Sequence, residues 1–172
     1  MVTNKATSTD DFVISRGFDA PRELVWHAWT EPKALAQWWG PRCMTTPVSE
    51  LDVRPGGKYR IVMRSAENVE FPMTGLYVEV IKPERLSYTV DCAEHPPAWH
   101  AKFRENLPPG MERSLGRILN TITFDDLGGG KTRVTVRMSF DDVVIRDAML
   151  KMGMNQGWGE SLDRLGEFMA KG

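Results

Sequence analysis

Residues 141–172 constrain the fold more than any other stretch of the chain. Set on a helix, Ala148, Met152, Asn155, Gly159, Leu162, Gly166 and Met169 fall on one stripe at 3,4 spacing, flanked by Val144, Trp158 and Leu165. Arg146, Glu160, Asp163, Arg164 and Glu167 fall opposite, so one face is to be buried and one wet. Asp141 and Asp142 stand where an N-cap and a first-turn carboxylate offset unpaired amides and the positive end of a helix. Gly153, Gly157, Gly159 and Gly166 each give up about 1 kcal/mol of helix propensity. Gly159 and Gly166 lie mid-stripe, where a missing side chain lets a sheet pass close or leaves a hollow; Gly153 and Gly157 lie off it and loosen the helix.

The segments before it read mostly as strands. Residues 11–18 alternate, with Phe12, Ile14 and Phe18 on one face and Arg16 in the apolar phase, where it needs a partner. Pro21 opens a helix to Thr30 whose Leu24, Val25, Trp26, Ala28 and Trp29 form a broad apolar face, and a second short helix from Pro32 ends at Gly40-Pro41. Strands follow over 48–53, 58–65, 73–81, 85–91, 118–125 and 132–140, with turns at Pro55-Gly56-Gly57, Lys82-Pro83-Glu84 and Gly128-Gly129-Gly130. An antiparallel sheet with one apolar face needs cover, and the terminal helix is the only element large enough to give it. The expected fold class is α+β: a curved antiparallel sheet wrapped around a long C-terminal helix, with two short helices after the first strand.

The chain has 172 residues, which fits one domain over 11–172, and residues 1–10, polar and without periodicity, read as a disordered tail. A net charge of -1 gives no electrostatic case for nucleic acid or an anionic membrane surface. Two cysteines, no apolar run of spanning length and no leader pattern point to a cytoplasmic protein without membrane insertion. Ten methionines and six tryptophans suit an irregular core or an apolar pocket.

Residues 92–117 do not fit the meander. They contain Pro96, Pro97, Pro108, Pro109 and Gly110, and they are longer than compact domains use without purpose. Trp99, Phe103, Leu107, Met111 and Leu115 equip the segment to dock on something, with a short helix over 99–106. A lid over a pocket, a homodimer contact and a plain surface excursion all remain open.

Catalytic signatures are scarce. His95 and His100 stand five apart in a proline-rich loop, a poor fit to a metal pair, and both glycine clusters lie between strands, so neither metal nor nucleotide cofactor is expected. Ser114, Ser161 and Cys43 lack the context of an activated nucleophile. Two amides are the better lead: Asn155 on the apolar stripe and Asn120 in phase with Ile118, Ile122 and Phe124 each need a partner from the protein, from water or from a ligand.

Taken jointly, Ala20-Pro21-Arg22-Glu23-Leu24-Val25-Trp26, Trp38-Trp39-Gly40-Pro41, Asp52-Val53-Arg54-Pro55-Gly56-Gly57, Gly75-Leu76-Tyr77, Pro83-Glu84-Arg85-Leu86 and 157–165 resemble the SRPBCC (START-like) superfamily. Within it they resemble the branch homologous to the C-terminal domain of the activator of the ninety-kilodalton heat-shock-protein ATPase. The resemblance covers about 11–92 and 118–170 and implies a helix-grip fold with a deep hydrophobic cavity between sheet and terminal helix. Superfamily relatives bind lipids, sterols or polyketides and some are cyclases or aromatases, but no catalytic set transfers to this chain. The departure is at 92–117, an insertion relative to the usual connection.

The first functional expectation is binding of a small apolar or aromatic ligand in that cavity. Its candidate wall is Trp39, Tyr59, Met63, Phe71, Tyr77, Tyr88, Trp99, Met152, Asn155, Trp158 and Leu162, chosen by phase toward the helix or by nearness to the cavity end. The second is an enzyme of cyclase, aromatase or hydrolase type using the same cavity, for which no acid–base pair is in view. The third is a co-chaperone-like interaction domain acting through its surface.

Overall fold

The computed structural model describes residues 11–171, so the tail expected over 1–10 lies outside the described residues. Seven antiparallel strands form one curled sheet: β1 (Phe12–Phe18), β2 (Met44–Leu51), β3 (Lys58–Ser65), β4 (Glu70–Ile81), β5 (Arg85–Val90), β6 (Ile118–Gly128) and β7 (Lys131–Phe140). Their spatial order is β1-β7-β6-β5-β4-β3-β2, a meander whose last strand receives the first. Register shifts in the β2·β3, β4·β5 and β6·β7 pairs mark bulges, which sharpen the local twist and help the sheet curl. Gly75 belongs to the same geometry: a Cβ there would stand 2.0 Å from the Thr89 carbonyl oxygen, so only glycine allows β4 to come this close.

The alternation expected of the last two strands is met. Ile118, Asn120, Ile122 and Phe124 of β6 and Thr132, Val134, Val136 and Met138 of β7 are buried on the concave face. Helices α1 (Arg22–Thr30) and α2 (Pro32–Trp38) close one end of the sheet with Trp26, Trp29 and Trp38. Trp29 meets Trp38 edge-on at 4.8 Å and stacks on Trp158 at 6.2 Å, and Trp38 Nε1 donates to the Ala28 carbonyl at 3.0 Å.

The segment after β5 carries α3 (Pro97–Glu105), whose Phe103, with Leu107 beyond it, packs on Ile145 and Ala148 as a small second core. Those last two residues belong to α4 (Val143–Lys151), which is followed by α5 (Met154–Ala170). The C-terminal helix is therefore long but interrupted. Gly153 adopts a left-handed conformation, φ 95°, which ends α4 and redirects the chain into α5. Asp142 caps α4 by accepting from the Val144 amide at 3.0 Å, whereas Asp141 instead accepts from the Arg117 amide at 2.8 Å.

The break corrects the expected stripe. Asn155 is exposed: it shares its helical phase with Leu162, but it lies in the first turn of α5, just past the bend, where nothing covers that face. Gly159 and Gly166 face β1 at ordinary contact distance, with an added Cβ lying 3.6 Å from Arg16 Nη2 and 3.7 Å from the Phe18 ring. Arg16 has the partner its position required, Asp163 of α5 at 2.8 Å.

Candidate functional site

A cavity of about 400 Å³ opens where the sheet, α3 and the α4–α5 bend come together. The loop after α2 contributes Trp39, Gly40, Pro41 and, at the start of β2, Met44. The sheet contributes Met63, Phe71, Met73, Val90, Ile118, Asn120 and Met138, with Met63 opposite Phe71 in the β3·β4 register. Cys92, His95 and Trp99 close it from the segment after β5, and Met149, Met152, Gly153, Met154, Gly157, Trp158 and Ser161 close it from the C-terminal helices. Seven of the ten methionines therefore stand in one wall: Met44, Met63, Met73, Met138, Met149, Met152 and Met154. No Asp, Glu, Lys or Arg among the described residues lines it.

The loop on one side is pinned by α5. Arg164 Nη1 donates to the carbonyls of Gly40 (2.8 Å), Trp39 (3.1 Å) and Pro41 (3.2 Å), while Arg42 pairs with Glu167. On the other side, His95 Nδ1 lies 2.9 Å from the Pro72 carbonyl, which can only accept, so Nδ1 carries the proton and Nε2 is left as an acceptor. Burial lowers the pKa of His95 and favours that neutral form. Burial also pushes the Cys92 thiol up to about 12, which keeps it protonated and a poor nucleophile.

Asn120 stands mid-strand between two cross-strand neighbours, Tyr88 of β5 and Met138 of β7. Its Nδ2 donates to the Tyr88 hydroxyl at 3.3 Å, and its Oδ1 is buried without a partner. Burial raises the Tyr88 pKa, with the donation from Asn120 opposing it, so the phenol stays protonated at neutral pH. The wall thus offers hydrogen-bonding groups and polarizable apolar surface, and its two titratable side chains, His95 and Cys92, are both held neutral by burial. Among the described residues no group of His, Cys, Asp and Glu could hold a metal ion, and no helix is long and apolar enough to cross a membrane.

A second hollow, about 510 Å³, lies between the end of β5, α3 and residues 113–117, with Asp91, His100, Arg104, Arg113 and Arg117 in its wall. Its charged lining is that of a solvated cleft.

A family model described as activator of Hsp90 ATPase homolog 1-like protein matches residues 19–170. The chain belongs to this family. Solved structures with the same fold include a protein from Nitrosomonas europaea, 25% identical over 95% of this chain and 97% of that one, with a TM-score of 0.76. A protein from Arthrobacter aurescens is 22% identical over 94% and 87% of the two chains, with a TM-score of 0.78. The AHSA1 protein of Silicibacter pomeroyi is 18% identical over 93% and 97%, with a TM-score of 0.67. No curated protein matches the chain in sequence. In this AHSA1-like chain the motif residues divide between two tasks. Trp38 and Gly57 serve the scaffold, Trp38 fully buried and Gly57 so close to the Asp52 carbonyl that a Cβ would stand 1.9 Å from it. Trp39, Gly40, Pro41, Gly157 and Trp158 lie in the cavity wall.

Of the residues expected in that wall, Trp39, Met63, Phe71, Trp99, Met152 and Trp158 lie there. Tyr59, Tyr77 and Tyr88 instead pack on one another, with Tyr59 and Tyr88 rings at 5.4 Å, around a void of only about 10 Å³ beside Trp29 and Leu35. Leu162 is in the closed core and Asn155 is exposed. Sequence reasoning placed none of Met44, Met73, Met138, Met149 and Met154 in the wall. The abundance of methionine was the available signal, but unbranched side chains from five different segments carry no shared period.

Proposed function

We propose that this protein binds a small apolar or aromatic molecule in the methionine-rich cavity. The observation that carries the reading is the wall itself: seven methionines with Trp39, Phe71, Trp99 and Trp158, no charged side chain, and a volume within the range of small-molecule sites. Membership of the AHSA1-like family supports it. Methionine suits a site that must mould itself to a flat or irregular ligand, because its three torsions and polarizable sulfur adapt to either. An enzyme of cyclase or hydrolase type would need an acid–base pair that this wall does not supply. The test is a thermal-shift screen of flat aromatic and medium-chain apolar compounds, joined to mass spectrometry of extracts of the protein purified from its native host. A ligand at a hundred times its Kd stabilises the fold by about 2.7 kcal/mol, which raises Tm by about 5–10 °C in a chain of this size. A screen without a hit and an extract holding a chaperone rather than a small molecule would replace this reading with the surface-interaction one suggested by the family's name.

A further inference from the structure

Three buried side-chain polar atoms among the described residues have no hydrogen-bond partner: Arg22 Nε, Trp29 Nε1 and Asn120 Oδ1. Of these residues only Asn120 belongs to the wall of the methionine-rich cavity. Three other polar groups of that wall are engaged within the protein. Ser161 Oγ donates to the Gly157 carbonyl at 2.9 Å, Trp158 Nε1 approaches Met138 Sδ at 3.2 Å, and His95 Nδ1 is held by Pro72. Asn120 is 2% exposed and lies in a strand whose other inward residues, Ile118, Ile122 and Phe124, are all apolar. A carboxamide there, half satisfied, weakens the core relative to a leucine or valine, so its presence calls for a partner.

The chemistry of that partner follows from the amide. With Nδ2 on Tyr88, the free atom is an acceptor; with the amide turned over, Tyr88 donates to Oδ1 and the free group is a donor. A hydroxyl gives and accepts, so it completes the carboxamide in either orientation. A carbonyl does so in only one and a hydrocarbon in neither. The terminal torsion of Asn is broad, so the carboxamide turns toward an incoming group at small cost. A carboxylate or ammonium would be desolvated in this wall without a counter-charge. We propose that the ligand of this cavity is a hydroxylated apolar molecule, a phenol or an alcohol, anchored through its hydroxyl to Asn120; the inference rests on the cavity being a ligand site.

The test compares 1-naphthol, 1-methylnaphthalene and naphthalene, binding each to the full chain and following quenching of tryptophan fluorescence. The expected result is that 1-naphthol binds the wild type about five- to tenfold more tightly than 1-methylnaphthalene, the worth of one neutral hydrogen bond. In Asn120→Leu that ratio is expected to fall to about one while 1-methylnaphthalene still binds. Asn120→Val, a smaller strand former, serves the same comparison if the leucine variant does not fold. Equal affinities in the wild type, or a preference for naphthol that survives in the variant and so belongs to another acceptor such as His95 Nε2, overturn the Asn120 anchor and leave the cavity reading intact. Absence of binding by all three compounds overturns the cavity reading itself.

Discussion

Arg164 offers the sharpest test of how the cavity is held open. Its Nη1 is within 3.2 Å of three successive carbonyls, Trp39, Gly40 and Pro41, and Nη2 lies 3.5 Å from the Gln37 carbonyl. One NH₂ group has two protons, so two bonds are strong at any moment and the remaining contacts are shared. Burial lowers the Arg164 pKa, with Arg42 adding to the effect, yet a guanidinium stays charged at any working pH. Hydrogen bonds from a charged donor contribute about 1.5–3 kcal/mol. The site is half-buried, so water reaches part of what a substitution exposes, and Arg164→Leu is expected to cost about 2 kcal/mol. In a chain of this length that lowers Tm by about 4–8 °C, read by circular dichroism, with a matching fall in the urea midpoint. Arg164→Lys keeps the charge but not the fork and should recover about half. Because the same carbonyls belong to Trp39, Gly40 and Pro41 of the cavity wall, ligand-induced stabilisation should shrink in Arg164→Leu. A Tm within about 1 °C of wild type would refute the claim that this side chain ties the loop to α5.

Three further outcomes are expected. Gly159→Ala should raise Tm by about 2–4 °C, because helix propensity improves by about 1 kcal/mol and the new Cβ meets only Arg16 Nη2 at 3.6 Å; a loss would mean that the helix packs more tightly on β1 than described. Gly75→Ala should cost about 3 kcal/mol or more in urea denaturation, since its Cβ would overlap the Thr89 carbonyl, and a cost below about 1 kcal/mol would contradict the β4–β5 approach. A thiol reagent at neutral pH should titrate the exposed Cys43 at once and Cys92, with its pKa near 12, only after denaturant is added; two fast equivalents would show the cavity wall to be open to reagent.

The sheet was legible because its signals are local and periodic. Val134, Val136 and Met138 alternate with arginines and a threonine, and a period of two says which face is buried without reference to the rest of the molecule. The buried face of the terminal helix was legible on both sides of Gly153, at Ala148 before it and at Leu162 and Leu165 after it, but the break was not. Asn155 shares the phase of Leu162 and so was placed inside, because a helical wheel gives phase and cannot tell which turn has a neighbour. The three tyrosines show the same limit. Phase sets Tyr59, Tyr77 and Tyr88 on the concave face, but whether that stretch of the face meets a hollow or the α1–α2 tryptophans is decided by tertiary packing. Asn120 could be named from phase alone, whereas its bond to Tyr88 depends on a strand register that no single strand encodes.

The pairing of β1 with β7 sets a timetable for biosynthesis. Phe12 reaches its partner Met138 only when the ribosome has added 126 more residues, which at ordinary rates of about 5–20 residues per second takes roughly 6–25 s. For that interval Phe12, Ile14 and Phe18 have no strand to join, while β3, β4 and β5 can each pair with the neighbour just made. The strands of the nascent chain can therefore pair from the β2 side toward β7, with the first strand the last to join the sheet, so a stall before residue 131 leaves an apolar ribbon exposed to other chains.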